Sequence, residues 1–173
     1  MDKTTQVGVS NQVTASEFAA RIQSSINKSG QTGRPFLVLL IQIANMQAFR
    51  NQRPTLVVNA LLREILTAVR KALHPSQYVG VFQDGLGFVF EGMDVGQADV
   101  LARKLTMLTQ HVIKTGKYND MSSRWTDIIY QFLWPNKPGI IFPCAGWSVY
   151  PRDGMTPRDM VKRAMAHIAE LRR

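Results

Sequence analysis

The residues best able to do chemistry fall in a few short stretches. Gln83-Asp-Gly-Leu-Gly87 offers one carboxylate, Asp84, which can serve as a lone metal ligand or simply as a turn former. The pair Gly85 and Gly87 is too short to cradle a phosphate on backbone N–H groups. Arginines are the second resource. From Phe18 through Arg63 there is no Asp or Glu, yet Arg21, Lys28, Arg34, Arg50, Arg53 and Arg63 all lie there. Guanidinium groups can meet phosphate without a metal, whereas a metal in this half of the chain would find no carboxylate. The competing reading is a solvated basic face. His74, His111 and His167 have no ligand spacing, so no metal is expected from them. The single cysteine, Cys144, excludes a disulfide framework and reads as a small buried hydrophobe. Trp125, Tyr130, Trp134 and Trp147 form either a sticky aromatic surface or a satellite core under a long loop.

These residues need a scaffold, and 173 residues supply one domain. A chain of this size buries roughly 70% of its unfolded surface without staples. The composition, 45% hydrophobic and 19% charged, is that of a globular protein. Lys and Arg number 21 against 12 Asp and Glu, a net +9, which attracts nucleotides, nucleic acid, anionic lipid or an acidic partner. Met1 to Gly33 is polar and never reaches the apolar run of a signal peptide, and no stretch has the length of a membrane span, so a cytoplasmic protein is expected.

The elements follow from periodicity. Residues 1–13 read as a flexible tail and 14–173 as one domain. Thr14-Ala-Ser-Glu17 is a capping box opening a helix with Phe18, Ile22 and Ile26 on one face, ended by Ser29-Gly-Gln-Thr-Gly33. Phe36 to Ile43 is a continuous apolar run suited to a central strand, interrupted by Gln42. A short helical turn follows through Phe49. Residues 56–73 carry a helical stripe that Pro75 breaks. Tyr78–Phe82 and Phe88–Phe90 predict a hairpin turning on Asp84-Gly85. Asp94 caps a helix with Val95, Leu101, Leu105, Leu108 and Val112 on its inner side. Residues 115–138 read as an irregular aromatic insertion. Gly139–Tyr150 predicts a strand, and Thr156-Pro157 opens a last helix with Met160, Val161, Ala164, Ile168 and Leu171 buried.

Taken in this order, residues 15–172 resemble the GGDEF domain of diguanylate cyclases. Three stretches carry the resemblance. Arg34-Pro-Phe-Leu-Val-Leu-Leu-Ile-Gln-Ile-Ala-Asn is similar to the family's first strand, and Tyr78-Val-Gly-Val-Phe-Gln-Asp-Gly-Leu-Gly-Phe88 sits where its signature hairpin belongs. Gly146-Trp-Ser-Val-Tyr-Pro-Arg-Asp-Gly154 is similar to its closing strand and loop. The resemblance implies an α/β (α+β) sandwich, a palm-like mixed sheet of about five strands covered by helices, whose crossovers into parallel neighbours are right-handed.

It also implies a dismantled catalytic set. The family's metal-binding aspartate on the first strand is matched by Gln42, a poor ligand for a hard cation, and a second aspartate by Ala44. The hairpin's acidic pair is lost, leaving Asp84 beside Gly85. Arg50 and Asn59 replace an asparagine and an aspartate that recognise guanine, while Arg172 keeps the charge of a phosphate-contacting lysine. The inhibitory Arg-x-x-Asp product site is matched by Pro75-Ser-Gln-Tyr78. Joining two GTP molecules requires metals to neutralise developing charge. The expectation is therefore an inactive GGDEF-like domain without cofactor. It would act as a protein-binding or regulatory module in bacterial cyclic di-GMP or envelope-related signalling. The surface around Trp125, Tyr130 and Trp134 is one candidate interface. Two alternatives stand beside it: a nucleotide sensor using a vestigial cleft of Gln42, Arg50, Asn59, Asp84, Gly85 and Arg172, and a basic nucleic-acid binder, which lacks the aromatic pair of an RNA-recognition sheet.

Overall fold

A computed structural model describes residues 15–115 and 141–171. The expected tail, most of the 115–138 insertion with Trp125, Tyr130 and Trp134, and Arg172 lie outside the described residues. The order is α1 (Ala15–Thr32), β1 (Phe36–Ala44), α2 (Met46–Gln52), α3 (Thr55–Ala72), β2 (Tyr78–Phe82), β3 (Gly85–Glu91), α4 (Val95–Thr115), β4 (Phe142–Tyr150) and α5 (Pro157–Leu171).

Local signals set most of these boundaries. Helix α1 runs through Ser29-Gly-Gln-Thr and stops only at Gly33, whose φ of 68° suits glycine and whose N–H donates to the Ser29 carbonyl at 2.8 Å. Gln97 reaches back to the Asp94 N–H at the start of α4, and the Thr156 hydroxyl accepts from the Asp159 N–H at the start of α5. Leu171 departs from its expected place: it is 68% exposed, because the stripe of α5 meets the sheet only through Met160, Ala164 and Ile168.

Among the described residues the sheet has four strands in the order β2-β3-β1-β4, against about five expected. Every pairing is antiparallel. Both crossovers skip a neighbour: β3 inserts between β1 and β2, and β1 inserts between β3 and β4. Like-directed strands therefore never touch. The apolar run of β1 signalled burial on both faces but could not signal its partners' direction.

That double burial creates three layers. Leu37, Leu39, Ile41 and Ile43 face one core with Val58, Leu61 and Ile65 of α3 and Leu105 of α4. Phe36, Val38 and Leu40 face a second core with Phe18 and Ile22 of α1 and Met160, Ala164 and Ile168 of α5. Glycines let the layers approach. A Cβ at Gly146 would lie 2.1 Å from the Ala164 carbonyl oxygen, so α5 rests directly on the β4 backbone.

Candidate functional site

The hairpin tip and the end of β1 bring four of the six predicted cleft residues into one neighbourhood. Gln42, half-buried near the end of β1, is level with Gly85 of β3 and Cys144 of β4. The turn itself is shifted from the expected Asp84-Gly85. Phe82 pairs with Gly85, so Gln83 and Asp84 make the turn, and the positive φ of 51° falls on Gln83. Gly85 belongs to the strand for a steric reason. A Cβ there would lie 1.8 Å from the Ile41 carbonyl oxygen, closer than any real contact. Gly87 is held similarly, with the Phe18 ring 2.7 Å from the place of its Cβ.

Asp84 is committed on both its backbone and its side chain. Its carbonyl accepts from the Ile43 N–H at 3.0 Å, which ties the turn to the end of β1. Its carboxylate accepts from the Arg50 guanidinium of α2 at 2.6 Å. The two side chains are 39% and 36% exposed, so this is a water-facing pair of modest strength. Asn59 sits half-buried in the first turns of α3. Among the described residues no three His, Cys, Asp or Glu side chains gather as a metal site. Tyr78, at the start of β2, is half-buried and stacks on Phe18 at 6.0 Å, with Arg21 5.9 Å from its ring centre. Burial raises its phenol pKa, Glu17 adds to the shift, and Arg21 and Arg70 oppose it.

A second assembly lies at the opposite edge of the sheet, and sequence reasoning missed it. Trp147 of β4 donates through Nε1 to Asp99 of α4 at 2.9 Å. Its ring meets the edge of His167 at 4.9 Å and has the Arg152 guanidinium 5.4 Å from its centre. Asp153 accepts from the Val149 N–H and from Arg152, each at 2.8 Å. Burial pushes the Asp153 carboxyl up, but those two hydrogen bonds and the charges of Arg152 and Arg163 outweigh it and hold the pKa below the usual aspartate value. Cys144, expected to be buried, is half-buried and lines a groove beside these residues. Contacts such as Asp99 to Trp147, 48 positions apart, leave no mark in a sequence pattern.

No family model matches the chain, and no curated protein matches it. Solved structures do. The chain is similar to a sensory box/GGDEF family protein from Caulobacter crescentus, at 18% identity over 91% of each chain and a TM-score of 0.67. It is similar to the GGDEF domain of DgcB from the same organism in complex with c-di-GMP, at 13% identity over 99% of this chain and 92% of that one, TM-score 0.68. The fold is that of a GGDEF domain. A third similar structure is the diguanylate cyclase SiaD with its activator SiaC from Pseudomonas aeruginosa, at 12% identity over 89% of this chain and 52% of that one, TM-score 0.64. Within the described residues of this GGDEF-like domain, no helix is long and apolar enough to cross a membrane.

Proposed function

We propose that this GGDEF-like domain is catalytically inactive and acts by binding a protein partner in cyclic-dinucleotide signalling. One observation carries the reading: the hairpin has no room for a carboxylate at Gly85, where a Cβ would strike the Ile41 carbonyl at 1.8 Å. The remaining acid, Asp84, is neutralised by Arg50, and Gln42 is neutral. These residues do not fit a divalent cation, which wants several anionic oxygens around it. The nucleotide-sensor alternative is weakened by the same pair, because Arg50 already has an anionic partner. Nucleic-acid binding has only the net charge of +9 in its favour. The partnership of SiaD with an activator protein supports a protein-binding role for this fold by analogy.

Thermal unfolding against GTP, ATP, GDP and cyclic di-GMP, with and without Mg²⁺, tests the reading. Ligands of the native state raise the midpoint by mass action. A flat panel is expected at moderate salt; a Mg²⁺-dependent shift selective for GTP would overturn the proposal.

A further inference from the structure

Two backbone N–H groups of the edge strand β4 are held by side chains. The Val149 N–H donates to Asp153 Oδ2 at 2.8 Å, and the Trp147 N–H donates to His167 Nδ1 at 3.4 Å. A strand at the edge of a sheet must satisfy such donors outside the ladder. The second bond follows from the close seating of α5 on β4. A Cβ at Gly146 would lie 2.1 Å from the Ala164 carbonyl oxygen and 2.6 Å from Ile168 Cγ1, so the turn of α5 that carries His167 rests on the backbone next to Trp147. The half-buried imidazole also stands perpendicular to the indole, with ring centres 4.9 Å apart.

The two acceptors respond differently to acid. A ring nitrogen that accepts an N–H bond carries no proton, so this bond fixes His167 as the neutral ring with its proton on Nε2. A proton added to Nδ1 turns the acceptor into a donor, and two N–H groups then face each other. Burial pushes the Asp153 carboxyl up, but its hydrogen bonds from Arg152 and Val149 outweigh it and hold it below the ordinary aspartate value. Asp153 therefore keeps its charge where an imidazole titrates.

Charged and titratable groups reach the ring from several sides. Asp99 and Arg103 of α4 and Cys144 of β4 line the groove of about 350 Å³ that His167 also lines. Arg152 lies 5.4 Å from the indole centre, and Arg163, one turn earlier on α5, pairs with Glu170. Strand β1 carries no charged residue, while α1 directs Arg21 and Lys28 to Glu91 and sets Glu17 near Tyr78. The Asp99 carboxylate accepts from the Trp147 indole, so α4 holds this residue by its side chain and α5 holds it by its backbone. We propose that His167 is a proton-operated latch on the β4 edge: neutral, it holds the Trp147 N–H to α5; protonated, it releases that N–H and loosens α5 from the strand. The inference stands apart from whether the domain binds a partner or turns over GTP.

The test follows the full ¹⁵N-labelled chain by NMR from about pH 8 to about pH 5, the span in which an imidazole titrates. The His167 ring resonances report its protonation. The Trp147 amide and indole resonances should move with the same midpoint. Protection of that amide against exchange, referred to the unstructured rate at each pH, should fall about tenfold, as for the loss of one net hydrogen bond. The Val149 amide should stay protected. His167→Asn sets an amide oxygen close to the place of Nδ1 and cannot gain the proton, so its Trp147 amide should stay protected throughout. His167→Phe removes the acceptor and should leave that amide equally unprotected at both ends of the range. A Trp147 amide that ignores the protonation of His167, or that still titrates in His167→Asn, would overturn the proposal. So would a His167 ring that takes up no proton by about pH 5. Parallel loss of protection at Val149 would mean general loosening of the fold in acid, and would overturn it too.

Discussion

The two ends of this sheet treat their polar groups in opposite ways. At the hairpin tip, the Asp84 carbonyl and carboxylate are satisfied by Ile43 and Arg50, and the Ile41 backbone fills the space beside Gly85. At the β4 edge, Asp153 and His167 satisfy the backbone of Val149 and Trp147, while Ala145, beside the groove, has no outward hydrogen-bond partner among the described residues. The lesson is about where a fold can keep a site. Beside the tip, a Cβ at Gly85 has no room against the Ile41 backbone, whereas the β4 edge, flanked by two helix layers, keeps a groove of about 350 Å³.

The sharpest way to break this contrast is Gly85→Ala. The clash is with backbone rather than a movable side chain, so the variant should lose about 3 kcal/mol or more, at the upper end of overpacking costs. Denaturant unfolding measures it, and a neutral outcome would mean that the tip has room after all. Next in size is Asp153→Ala, which leaves the buried Val149 N–H without its partner and should cost about 1–3 kcal/mol near neutral pH. This loss should depend on pH. The folded carboxyl titrates below the unfolded value of about 3.9, so its contribution is complete above that value and disappears as pH falls through the lower folded value. The gap between wild type and variant should thus close only in strong acid, as followed by urea melts from pH 7 to pH 2. The smallest effect belongs to Arg50→Ala. Its exposed ion pair with Asp84 should contribute at most about 1 kcal/mol, and less in high salt. A larger, salt-independent loss would show that α2 is locked to the hairpin by more than charge.

The layered architecture was legible because it rests on local signals: the unbroken apolar run of β1, the stripes of α3 and α4, and the cap at Thr156. The turn slipped by one residue for an identifiable reason. Asp-Gly is a strong turn signal, but here the glycine is demanded by the approach of Ile41. That Gln42 is neutral and that the hairpin turn carries a single carboxylate, Asp84, was readable from residue types alone. The ion pair of Arg50 with Asp84 and the slot beside Ala145 were not, since both depend on residues brought together only by the sheet order.

On the proposed reading, the hairpin end performs no cyclase chemistry. The direct measurement incubates the full chain with GTP and Mg²⁺, then with GTP and Mn²⁺, and quantifies cyclic di-GMP by chromatography. The predicted result is no product above a protein-free blank. Product accumulating beyond the amount of protein present, and abolished by Asp84→Ala, would contradict the account and make the tip an active centre.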